Sequence, residues 1–156
     1  MLKQPKLFPN AIVNKYELTW DFEIVTEGVD IVVPKYFRYD GASIPAPAWQ
    51  ATFTPFHPDV MMPALVHDWL YYNHQVEIEL VDDIFYRLLR DNGVDNLRAN
   101  LMWGAVKAAG RFFWENDKED LDYLEKLYRL VRNRENKDRY QFPQAIIDRV
   151  ENTGGS

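Results

Sequence analysis

Residues 59–73 read DVMMPALVHDWLYYN, and the fold turns on this stretch. Val60, Met61, Met62, Ala64, Leu65, Val66, Trp69, Leu70 and Tyr71 make it apolar nearly all round, which is the pattern of a helix buried on every side. Asp59 stands where an N-cap belongs, and Pro63 falls in the first turns, where proline is best tolerated. His67 and Asp68 sit in the middle. A buried carboxylate is strongly disfavoured unless a partner or a metal offsets its desolvation. The pair is therefore either a satisfied structural hydrogen bond or a chemical site.

The segment that follows offers a partner. A second helix is predicted over 77–91, ending at Asn92-Gly93, a good C-terminal signal. On a helical wheel Val81, Ile84, Phe85, Leu88 and Leu89 share one face. Asp82 lies at the edge of that face and Asp83 on the opposite side, so Asp82 reaches inward while Asp83 is a solvated charge. Tyr71 follows His67 by one turn on the same side and can brace the same group. A histidine held by a buried carboxylate makes a general base with a fixed tautomer. The neighbouring Asp68 suits a hard cation.

Further along, a third helix is expected from about Asp95 to Trp114, with Gly104, Ala105, Ala108, Ala109 and Gly110 suited to close helix packing. Its Trp103, Phe112, Phe113 and Trp114 are placed in the core, a lipid-facing stripe being the alternative. A fourth helix is expected over 116–132, with Leu121, Leu124, Tyr128 and Val131 on one stripe, and a short fifth after Pro143. The tail 151–156 should fray.

Upstream, residues 15–25 and 30–33 are rich in β-branched and aromatic residues, and Gly28 separates them, as in a hairpin or two edge strands. Residues 40–58 carry Gly41, Pro45, Pro47, Pro55 and Pro58 and read as a loop. Together these signals predict one domain over 1–150: a mainly α fold with a small N-terminal antiparallel β element (α+β). Its helical core includes two antiparallel helices that carry the site.

Composition narrows the function. With 47% hydrophobic and 27% charged residues the chain is globular. A net charge of −6 disfavours nucleic acid as a partner. The basic run Arg129, Arg132, Arg134, Lys137 and Arg139 is interrupted by Glu135 and Asp138 and reads as a solvated helix surface. No cysteine is present, which excludes disulfides and thiolate metal sites. No signal pattern and no membrane-spanning apolar run are found, so a soluble chain in the host cytoplasm is expected, with virion association as the alternative.

Three segments carry a resemblance: residues 33–45 with Asp40-Gly41-Ala42-Ser43-Ile44-Pro45, the run His67-Asp68-Trp69-Leu70-Tyr71, and Val81-Asp82-Asp83-Ile84-Phe85. Over about residues 17–114 they resemble an uncharacterised, largely phage-encoded domain family. They are also similar to the core of the secreted calcium-dependent phospholipases of bacteria and fungi. That second resemblance implies calcium ligation by Asp40, Asp68 and the Gly41 carbonyl, with His67 as general base, Asp82 orienting it and Tyr71 bracing it. It implies hydrolysis of an ester or lipid substrate. Ala42 stands where those enzymes have cysteine, so their disulfide is absent.

Other readings differ in class. A phage virion or tail-assembly protein would use the same residues to lock its helices and its aromatics to meet phage structural proteins. A metal phosphohydrolase built on His67, Asp68 and His57 would need ligands on helices, whereas His57 and His74 read as surface or loop histidines. Three histidines at this spacing do not suit zinc. Ser43 lacks the context of a nucleophile elbow and reads as a turn cap.

Overall fold

The computed structural model describes residues 4–10, 15–39 and 57–152. Among the described residues two small antiparallel sheets precede five α-helices, the α+β arrangement expected. Strands β1 (Leu7–Asn10), β2 (Lys15–Leu18) and β5 (Arg38–Tyr39) form one sheet with β2 in the centre. Strands β3 (Phe22–Thr26) and β4 (Val29–Val33) form a separate hairpin. Its two-residue turn is Glu27-Gly28, with φ of 49° and 74°. Positive φ at both positions matches the right-handed twist of the strands, and glycine adopts it without strain.

The sequence run 15–25 is thus two strands in two sheets, divided near Asp21. Strands β1 and β5 fall in the first forty residues, which read as short strands, but their bounds were not foreseen. Their short lengths give little periodic signal, and their state is set by pairing, Leu7 opposite Leu18 and Tyr16 opposite Tyr39.

Helices α1 (Pro58–Asn73) and α2 (Ile78–Asp91) run antiparallel through the core, joined by a short corner. His57, rather than Asp59, caps α1: its Nδ1 accepts the Asp59 amide at 3.1 Å, and Pro58 takes the first helical position. Pro63 lies deeper than the first turn. Lacking an N–H, it leaves the Asp59 carbonyl without its helical donor. The Asn92 side-chain amide, from the end of α2, supplies one at 3.1 Å. The defect that proline makes in one helix is thereby used to tie it to the next.

Helix α3 (Asn96–Phe113) starts at the Asp95 cap, whose side chain accepts the Arg98 amide. Helix α4 (Lys118–Val131) starts with a capping box, Asp117 and Asp120 each accepting the other's amide. A 3-10 turn (Lys137–Tyr140) and α5 (Gln144–Glu151) complete the described chain.

The basic run is a solvated helix surface only in part: Arg129 is exposed on α4 and pairs with Glu125 one turn back. Arg134 and Arg139 lie beyond α4 and reach the N-terminal strands, Arg139 to Glu23 at 2.6 Å and to Asp30 at 3.4 Å. Asp21 is the hub of this clasp. It accepts the Lys35 amide, the Asn136 side chain and the Tyr140 hydroxyl between 2.8 and 3.0 Å. Arg134 adds a longer ion pair at 3.4 Å. Burial pushes the Asp21 carboxyl up, but these donors outweigh it and hold its pKa below the ordinary value. Burial first, and then the same carboxylate, push the Tyr140 phenol up to about 12.

Two packing expectations fail in part. Gly110 is buried as foreseen, whereas Gly104 and Ala108 face solvent. Trp103 and Trp114 are half-buried, at the margin of the core rather than inside it. The side chains of Phe112 and Phe113 lie outside the described residues.

Candidate functional site

The expected cluster forms where α1 and α2 cross. His67 points at α2 because its neighbours along α1 are all buried, and Asp82 leaves the edge of the apolar face of α2 to meet it. His67 Nε2 and Asp82 Oδ1 are 3.0 Å apart, and both side chains are almost wholly buried. The Tyr71 hydroxyl donates to the same Oδ1 at 3.3 Å. His67 packs against the rings of Tyr71 and Phe85, at centroid distances of 4.3 and 5.0 Å. Asp83 is exposed, as the wheel predicted.

The electrostatics follow from burial. Desolvation lowers the His67 pKa and outweighs the upward pull of Asp82, so the ring is neutral at pH 7. A neutral ring bonded to a carboxylate through Nε2 carries its proton there, which leaves Nδ1 as the basic nitrogen. Burial first, then the charges of Asp82 and Asp68, raise the Tyr71 phenol well above its ordinary value, so it remains a donor.

Asp68 is buried as well, at 5% exposure. Burial first, with the Asp68 charge adding to it, raises the Tyr123 phenol, and the same charge also reaches Tyr71. Tyr123 accepts the Arg38 amide at 2.7 Å and so fixes β5, the strand that leads into Asp40. Asp40 and Gly41 lie outside the described residues, as do Ser43 and the rest of 40–56. Among the described residues no three His, Asp or Glu side chains are gathered to hold a metal. Asp68 is therefore the one expected calcium ligand whose position is known.

A cleft of about 270 Å³ is lined by Ile78, Glu79, Asp82, Asp83, Trp103 and Lys107, and so reaches the dyad from the Asp82 side. A separate cavity of about 490 Å³ is lined by Arg38, Tyr72, Tyr123 and Lys126 with Glu119, Asp120 and Asp122, and by none of the cluster residues.

Reading the sequence missed the support around the corner of α1. His74 lies in the corner after α1, in keeping with a loop histidine, but it is half-buried rather than on the surface. It ends α1 in the left-handed conformation, at φ of 53°. Its Nε2 lies 2.7 Å from the Trp114 carbonyl, and its ring stacks on the Trp114 indole at 4.0 Å. Asn116 donates to the Tyr72 carbonyl at 2.9 Å. The residue pattern held no signal for these contacts beyond the presence of a polar residue after a helix.

The described helices include none long and apolar enough to cross a membrane. No solved structure matches the chain. An uncharacterized protein of Sinorhizobium fredii, y4jT, is similar: 31% identical over 96 residues, which is 61% of this chain and 29% of that protein. The chain thus spans less than a third of the length of that relative. Residues 16–106, which contain His67, Asp68, Tyr71 and Asp82, match the family described as Protein of unknown function (DUF1353), and the chain belongs to that family.

Proposed function

We propose that this protein is a phage-borne, calcium-dependent ester hydrolase with a phospholipase-like site. The observation that carries this reading is the buried His67–Asp82 contact at 3.0 Å, braced by Tyr71. Asp82 fixes the Nε2–H tautomer, and the Nδ1 lone pair takes a proton from water. The oxygen of that water bonds to the ester carbonyl carbon, whose electron pair moves to the carbonyl oxygen. When the tetrahedral adduct collapses, the carbon–alkoxy bond breaks and the Nδ1 proton passes to the leaving alkoxide. A carboxylate at Asp68 with Asp40 and the Gly41 carbonyl is the donor chemistry of a hard cation, and bound calcium would stabilise the oxyanion there. The similarity of the three segments to the secreted phospholipases supports an ester or phospholipid as substrate.

The test is a calorimetric calcium titration of wild type, Asp68→Asn and Asp40→Asn. Binding abolished by both substitutions supports the site, and ester and phospholipid assays with His67→Ala as control then test turnover. Absence of calcium binding by a folded wild type would sink the proposal.

A second reading is favoured by one observation: His67 is only 1% exposed and is wedged between Tyr71 and Phe85. On that reading the cluster is a lock between α1 and α2 in a virion or tail-assembly protein. Its partners would be phage structural proteins. Variants that lose stability, with no calcium binding and no turnover in wild type, would select it.

A further inference from the structure

Strand β5 is only two residues long, and among the described residues it pairs with β2 on one side and with no strand on the other. So short an edge strand does little to fix its own position. Its open edge is held from another layer instead. The Arg38 amide donates to the Tyr123 hydroxyl of α4 at 2.7 Å. The Arg38 guanidinium lies over the Tyr123 ring at 5.6 Å, so main chain and side chain of one residue engage the same phenol.

One position earlier, Phe37 is wholly buried. Its ring meets Trp69 and Tyr72 of α1 at 5.4 and 5.8 Å, and Tyr123 at 6.3 Å. The Tyr72 and Tyr123 rings are 5.3 Å apart. Phe37, Tyr72 and Tyr123 thus close a triangle that joins the approach to β5, α1 and α4. Trp69 and Tyr72 follow Asp68 directly and by one turn, so the triangle keys the strand to the turn of α1 that carries this carboxylate. The charge of Asp68 reaches the Tyr123 phenol. Tyr123 itself lies beyond residues 16–106, which match the family.

We propose that Tyr123 is a positioning residue for the calcium site, holding β5, the strand that runs into Asp40, in fixed relation to Asp68. The inference rests on the calcium reading above and extends it to a helix outside the family's matched residues. Donors on two different elements share one cation only while the elements keep their distance. Tyr123 touches neither cation nor substrate; its hydroxyl sets where β5 ends. Removing a group that orients metal ligands typically weakens binding about 10- to 100-fold. Tyr123 acts one contact further out, which places its effect at the low end.

The test is a calorimetric calcium titration of the full chain as wild type, Tyr123→Phe and Tyr128→Phe. Phenylalanine at 123 keeps the ring triangle and removes the acceptor of the Arg38 amide, so affinity should fall about tenfold. Tyr128, on the same helix, bonds to Glu151 instead. Its variant loses a phenol hydrogen bond of the same kind and should bind calcium as wild type does. Linkage supplies a second measurement that needs no variant. Calcium must strengthen the Tyr123–Arg38 contact by the factor that the contact lends to calcium binding. Saturating calcium should therefore slow hydrogen exchange at the wild-type Arg38 amide about tenfold. Unchanged affinity in Tyr123→Phe, an equal loss in Tyr128→Phe, or Arg38 exchange indifferent to calcium would overturn the proposal while leaving the calcium site standing. A wild type that binds no calcium would overturn it together with the reading on which it rests.

Discussion

Gly110 leaves room for the Tyr71 hydroxyl: a Cβ on Gly110 would stand 3.1 Å from that oxygen and 2.9 Å from Ile78 Cδ1. The brace on Asp82 therefore depends on a missing side chain in a third helix. Gly110→Ala should destabilise by about 1–3 kcal/mol, because overpacking outweighs the better helix propensity of alanine. Gly104→Ala, in open space, should stabilise by about 0.5–1 kcal/mol. Urea unfolding of the two variants gives the comparison, and equal effects would remove the steric account.

Tyr71→Phe keeps the ring against His67 and removes one donor from Asp82. The expected cost is about 1 kcal/mol in denaturant unfolding. Asp82→Ala should cost about 3 kcal/mol, since it leaves a buried imidazole and a buried phenol without their acceptor. A smaller loss for Asp82→Ala than for Tyr71→Phe would contradict the placement of Asp82 at the centre of the cluster.

His67 is neutral in the fold, and its pKa is depressed, by burial first and against the pull of Asp82. As pH falls below the unfolded value of about 6.5, the unfolded chain takes up a proton before the folded one does. The stability tied to His67 is thus present above that pH and lost as pH falls from it toward the folded pKa. A His67→Gln variant should show a flatter stability profile between pH 7 and 5 than wild type. Proton resonances of His67 should titrate below the usual histidine range, and titration at or above it would refute the burial argument.

Asp21 carries the opposite chemistry with a similar outcome. Its pKa is lowered in the fold, so its contribution is present above the unfolded carboxyl value and is lost as pH falls through the folded one. Asp21→Asn should remove that acid dependence. Asp21→Ala should cost about 2–3 kcal/mol by leaving Tyr140, Asn136 and the Lys35 amide short of an acceptor. Acid unfolding of the three proteins side by side tests this.

The helix pair was legible because two different patterns coincide in it. Helix α1 is apolar on all sides and α2 on one, and Asp82, at the edge of the α2 face, is the carboxylate that meets His67. The caps were less so. A histidine at the start of α1 carries little cap signal, although Pro58 at the first helical position marks the residue before it. Asp21 and Arg139 were not legible at all. Their side-chain partners across the clasp lie more than a hundred residues away in sequence, and charge runs do not state which strand they will meet. Asp40 and Gly41 remain expectations from the resemblance, since they fall outside the described residues.

The clasp at Asp21 makes the β3–β4 hairpin depend on residues far along the chain. Asp21 and Tyr140 are separated by 119 positions. Closing so long a loop costs more chain entropy than pairing the adjacent helices α1 and α2. A chain truncated before residue 134 would therefore retain His67 and Asp82 but lose Arg134, Asn136, Arg139 and Tyr140, the belt that holds the hairpin.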